Sequence, residues 1–115
     1  MIYGRLTIIN LYDCNKNIIR NKKEIKRFLR NLCKEINMKA KGPTKIKRFG
    51  KGPLNSYSAI QFIETSSITI HFDEQHNRAF IDVFSCKRFS ERKVETFSKE
   101  FFKAKKSQIK ILVRK

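Results

Sequence analysis

Ser58, Ser66, His71 and Cys86 set two hydroxyls, an imidazole and a thiol into a span that otherwise reads as apolar strand. Ser66-Ser67-Ile68-Thr69-Ile70-His71 holds the imidazole and further hydroxyls, and Cys86 closes Ile81-Asp82-Val83-Phe84-Ser85-Cys86. A strand needs none of these groups, because a polar group among apolar neighbours costs stability unless it finds a partner. Their chemistry is another matter: hydroxyl and thiol are nucleophiles, and imidazole and thiol move protons near neutral pH. Taken singly, Ser66 and Ser67 are ordinary strand-edge hydroxyls, His71 a hydrogen-bonded strand residue and Cys86 a small core residue. Taken together they point to a site.

The elements that must position these groups follow from periodicity and turn chemistry. Residues 6–12, 45–49, 57–63, 65–72, 78–85 and 107–114 read as strands, with 13–20 a polar connector and 73–77 a turn. Gly50, Gly52 and Pro53 end the second strand in a loop. Asn21, three residues before Glu24, has the spacing of a capping box. Ile25, Phe28, Leu29, Leu32 and Ile36 then recur at helical spacing over 22–38. Ser90 caps a second helix carrying Val94, Phe97 and Phe101 on one face. The expected fold class is α+β, a two-layer sandwich with two helices on one face of a mostly antiparallel sheet. Strict alternation puts Ser66 and His71 on opposite faces of one strand, so cooperation between them calls for a bend or bulge near Ser66.

With 115 residues and 40% hydrophobic content, including ten Phe, the chain reads as one domain, 1–115, with a modest core. No stretch approaches the roughly 20 apolar residues of a membrane span, and no secretory leader pattern is visible, so a cytoplasmic location is expected. Cys14, Cys33 and Cys86 are odd in number and lack a CxxC pair, which argues against disulfides and against a thiolate metal site. Cys14 and Cys33 read as small buried residues, and His76 as a turn residue rather than a ligand.

The net charge of +17 is unevenly spread. Residues 16–51 hold fourteen Lys/Arg against two Glu, and 87–115 hold eleven against three, whereas 52–86 hold only Arg78 against four acids. Such a balance either attracts nucleic acid or another polyanion, or simply solvates the helix faces.

The chain resembles the prokaryotic S-adenosylmethionine decarboxylase family over nearly its whole length. Ser66-Ser67-Ile68-Thr69-Ile70-His71 is similar to a family pattern Glu-Ser-His-Ile-x-Ile-His, and the spacing onward to Asp82-Val83-Phe84-Ser85-Cys86 is preserved. The resemblance implies a proenzyme that cuts itself between Thr65 and Ser66 through an N-to-O acyl shift. Ser66 is then the precursor of a pyruvoyl cofactor, His71 promotes β-elimination of the ester and Ser58 supports processing. A pyruvoyl carbonyl forms a Schiff base with the substrate amine and accepts the electrons released with CO2, and Cys86 returns the proton. S-adenosylmethionine as substrate, spermidine and polyamine synthesis as the pathway, and a homodimer are implied in the same way.

Several positions depart from the pattern. Thr65 stands where the family has Glu, and Ser67 replaces the following His, which makes Ser67 a second candidate for the cleavage serine. Phe72-Asp73-Glu74-Gln75 replaces Thr-Trp-Pro-Glu, so the carboxylate associated with ribose binding becomes Gln75. Two further readings follow: a pyruvoyl decarboxylase of ornithine or arginine, and an unprocessed, non-catalytic homologue that binds nucleic acid. The second would use Lys22, Lys23, Lys26, Arg27, Arg30 and Lys34.

Overall fold

In a computed structural model describing residues 1–115, the chain forms one six-stranded sheet with its helices gathered on one face. The elements are β1 (Gly4–Tyr12), α1 (Lys16–Ile19), α2 (Lys22–Glu35), β2 (Ala40–Phe49), β3 (Ser56–Ile63), β4 (Ser66–Asp73), β5 (Arg78–Ser85), α3 (Glu91–Phe101) and β6 (Lys106–Arg114). A single 3-10 turn, Gly52–Leu54, lies between β2 and β3. The strand order is β2-β3-β4-β5-β1-β6, and every neighbouring pair is antiparallel. The α+β two-layer class is as expected, with one helix more than the sequence reading gave. That helix, α1, is four residues long and held by Asn15, whose side chain accepts from Asn17 and Ile18 N–H.

Helix α2 starts where expected but uses only half of the capping box. Asn21 Oδ1 accepts from Lys23 and Glu24 N–H at 3.0 and 3.2 Å, while the Glu24 carboxylate turns to Arg27 Nε at 2.6 Å. The helix stops at Glu35, short of the expected 38, in a Schellman motif. Asn37 adopts φ +55° there, Met38 N–H donates to Cys33 O at 2.9 Å, and Asn37 N–H donates to Lys34 O at 3.1 Å. This ending seats Met38 in the interior, only 7% exposed, against the end of β4.

The core lies between the helices and one sheet face. Ile68, Ile70 and Phe72 of β4, with Ala79, Ile81 and Val83 of β5, point into it alongside Phe28, Leu29 and Leu32 of α2. Phe28 is fully buried, with its ring centroid 4.6 Å from that of Phe102 and 5.2 Å from that of Phe101. Truncating such a ring to alanine costs about 3–5 kcal/mol. Cys14 and Cys33 are buried as expected, and burial pushes the Cys14 thiol up to about 12.

Strand β2 runs longer than the sequence suggested, through Gly42 and Pro43. As an edge strand it tolerates a proline, and a register shift between Lys41 and Lys45 absorbs the irregularity. The opposite sheet face carries no helix. By alternation it presents Ser58, Ile60 and Phe62 of β3, Ser67, Thr69 and His71 of β4, and Phe80, Asp82 and Phe84 of β5.

Candidate active site

Thr65 is the second residue of the two-residue turn, Glu64-Thr65, that joins β3 to β4, so the Thr65–Ser66 peptide sits at the sheet's end. Three groups meet around it. Cys86 N–H and the Cys86 thiol both point at the Thr65 carbonyl oxygen, each at 3.5 Å. Ser66 lies directly opposite Ser85 across the β4–β5 ladder, and its hydroxyl donates to Ser85 Oγ. Met38 Sδ lies 3.7 Å from Ser66 Oγ on the core side. Gly4 of β1 makes this approach possible, since a Cβ there would lie 2.8 Å from Ser85 O and 3.2 Å from Cys86 Cα.

One recess touches the turn at Thr65, and a second lies beyond it at Cys86. The first, about 380 Å³, is lined by Asn37, Met38, Lys39, Glu64, Thr65 and Lys87. The second, about 210 Å³, lies beside Cys86 and takes in Gly4, Arg5, Lys87, Arg88 and Phe89. Cys86 itself is exposed, so small molecules reach its thiol from solvent.

Ser58 and His71 form a second cluster on the open face. They are register partners on β3 and β4, and Ser58 Oγ lies 2.9 Å from His71 Nδ1. Lys45, Lys47, Phe49, Ile60 and Thr69 join them around a shallow groove of about 290 Å³. His71 is five residues from Ser66, roughly 16 Å along an extended strand, and on the other face. The bend or bulge expected near Ser66 is absent: β4 keeps continuous register with both neighbours from Ser66 to His71. The four residues singled out in the sequence therefore divide into Ser66 with Cys86 and Ser58 with His71. Ser67 shares the open face with His71.

Ser85 was not singled out in the sequence, although it stands inside the motif. Its neighbours in register decide its importance, and register is invisible in a single strand's composition. The stretch after His71 is likewise settled by its surroundings. Glu74 is 9% exposed and bound by Arg48 Nη1 and Nη2 at 2.9 and 3.1 Å, with its N–H donating to Ser56 Oγ. Gln75 is exposed in the turn, and His76 is there too, with Nδ1 2.9 Å from Asp73 Oδ2. Burial alone would raise the Asp73 carboxyl, but hydrogen bonds from Arg78 and His76 prevail and hold it below the ordinary carboxylate range.

An antiparallel sheet with helices on one face thus brings a serine and a cysteine together about one turn peptide. Residues 5–115 match the S-adenosylmethionine decarboxylase family, and the chain belongs to it. It is 31% identical over 112 residues to an S-adenosylmethionine decarboxylase proenzyme of Clostridium botulinum strain Langeland, covering 96% of this chain and 93% of that protein. A proenzyme of the same name from Saccharolobus islandicus is 28% identical over 85 residues, covering 74% of this chain and 66% of that protein. The fold is that of the adenosylmethionine decarboxylase crystal structure from Aquifex aeolicus, with a TM-score of 0.83 at 18% identity over 98% of this chain and 91% of that one.

Proposed function

We propose that the chain is a self-processing, pyruvoyl-dependent decarboxylase that cuts itself between Thr65 and Ser66 and acts on S-adenosylmethionine. The observation that carries this reading is the convergence of Cys86 N–H and Sγ on the Thr65 carbonyl beside a Ser66 hydroxyl already held in place. Attack of Ser66 Oγ on the Thr65 carbonyl carbon drives negative charge onto that oxygen, and two donors aimed at it stabilise the charge. Collapse breaks the Thr65–Ser66 C–N bond and leaves an ester and a free amine. Elimination removes the Ser66 Cα proton and splits Cβ–Oγ. Thr65 becomes a carboxylate, and hydrolysis of the remaining enamine releases ammonia and leaves a pyruvoyl group at the head of the 66–115 chain.

The residues present fit that group, because Ser66 lies at a strand end, next to a recess that reaches Thr65 and another that reaches Cys86. Once formed, it supplies a carbonyl that binds the substrate amine and takes up the electrons released with CO2. Cys86, exposed and adjacent, donates the proton that replaces CO2. The processing roles of Ser58 and His71 are carried over from the family resemblance; the pair is hydrogen-bonded on the open face, roughly 16 Å along β4 from Ser66, so those roles require a rearrangement that brings them to it.

We assign the open face to a second copy of the chain. Phe62 is 49% exposed there and Leu112 42%, and the central strands β3–β5 carry few of the cations that make up the +17 charge. The three free cysteines fit a reducing cytoplasm, and no helix is long and apolar enough to cross a membrane.

A second substrate reading rests on Glu74 and Gln75. The acid nearest the expected ribose-binding position is turned inward and committed to Arg48, which leaves no free carboxylate there for a ribose and motivates ornithine or arginine as the alternative substrate. The two are separated by measuring CO2 release from S-adenosylmethionine, ornithine and arginine with purified protein. Release from the first alone supports the main reading, release from either of the others supports the variant, and silence on all three contradicts both. Nucleic acid binding through α2 is favoured only by the absence of any lysine from the ion pairs. It predicts binding that weakens steeply with salt.

A further inference from the structure

Ala79, Ile81 and Val83 of β5 form an apolar row facing the helices, and the next residue in that row is Ser85. It is 2% exposed, at a place where alanine or valine would satisfy the fold. Its hydroxyl is fully engaged. Lys87 N–H donates to Ser85 Oγ at 2.9 Å, the Ser66 hydroxyl donates to the same oxygen, and Met38 Sδ stands 3.9 Å away to receive the Ser85 proton. A serine oxygen has two lone pairs and one proton, so this arrangement uses all three. The Lys87 N–H polarises the Ser85 oxygen and favours Ser85 as the acceptor toward Ser66.

The consequence falls on the nucleophile. With its proton directed at Ser85, the Ser66 hydroxyl is held in one rotamer and its own lone pairs remain free. Without Ser85, the remaining protein contact of the half-buried Ser66 hydroxyl is Met38 Sδ, a weak acceptor. His71 is on the far face and cannot take that place in the uncut chain.

We propose that Ser85 is a positioning residue for self-processing, which orients Ser66 for the acyl shift; the inference rests on the self-cleavage reading above. In the step it assists, the Ser66 Oγ–Thr65 C bond forms and the Thr65 C–Ser66 N bond breaks. The hydroxyl proton ends on the Ser66 nitrogen, and Ser85 has no net change in protons.

The test follows splitting of freshly refolded full-length chain by intact mass, with and without hydroxylamine, which cleaves the ester but not the peptide. Ser85→Ala and the near-isosteric Ser85→Cys are expected to split about 10- to 100-fold more slowly than wild type, the loss that misplacing a reacting group brings. Ser85→Thr, which keeps the hydroxyl, should restore splitting. Hydroxylamine should leave the slow variants slow, because they form the ester slowly. Wild-type rates in both Ser85→Ala and Ser85→Cys would overturn the inference and leave the self-cleavage reading intact. So would recovery of full rate with hydroxylamine, which would place the defect after the ester. A wild-type chain that never splits would remove the self-cleavage reading and this inference with it.

Discussion

Replacing Arg48 with alanine tests how the ends of β2 and β4 are tied together. The Arg48 guanidinium reaches Glu74 through two bonds of 2.9 and 3.1 Å, Asn55 Oδ1 at 2.6 Å, and covers the Tyr57 ring at 4.5 Å. It thus ties the end of β2 and the loop after it to the β4–β5 turn. Breaking a buried ion pair costs about 3–5 kcal/mol, whereas an exposed one is worth about 1 kcal/mol or less. This pair lies between those limits, with side chains 37% and 10% exposed. About 2 kcal/mol is the expected loss, most of it from leaving the Glu74 carboxylate buried beside Arg20 alone. For a chain of this size that lowers Tm by roughly 10 °C. The assay is thermal unfolding by circular dichroism in a Ser66→Ala background, so that a single uncut species is measured. Adding Glu74→Gln removes the stranded charge and should recover about 1 kcal/mol. A fall in Tm below about 2 °C, or losses that simply add in the double variant, would refute this account of the Glu74 cluster.

Three further outcomes are expected. Native protein treated with a thiol reagent near pH 8 should label Cys86 alone, since burial holds Cys14 and Cys33 unreactive; prompt labelling of three thiols would contradict the packing. Asp73 is held below its ordinary pKa in the folded state, so it contributes stability above pH ~4 that is lost as pH falls through its folded value. The urea-unfolding difference between wild type and Asp73→Asn should therefore shrink from pH 7 to pH 3, and a constant difference would contradict it. Light scattering after size exclusion should give the mass of two chains, and Phe62→Glu, at a site 49% exposed, should give one; a wild-type monomer would remove the second copy from the open face.

Much of this architecture was legible because the patterns are local. Alternation over 78–85 gave β5 to the residue, and Asn21 announced the start of α2. Alternation also placed Ser66 and His71 on opposite faces, as they are, while the bulge invoked to reconcile them is absent. What escaped the sequence depended on partners far along the chain. The second strand was expected to start at Lys45, whereas Gly42 and Pro43 fall within an edge strand that starts at Ala40 and that a register shift accommodates. One turn of helix at α1 is too short to show periodicity. Ser85 was hidden for the same reason that it matters, because only the pairing of β4 with β5 brings it to Ser66.

The measurement that bears most directly on the central claim is the intact mass of purified full-length protein beside Ser66→Ala. The account predicts two fragments from the wild type, 1–65 and 66–115, the second lacking a free amine and headed by a pyruvoyl group, and one uncut chain from Ser66→Ala. A wild-type chain that stays whole, or a Ser66→Ala chain that still splits, would contradict it.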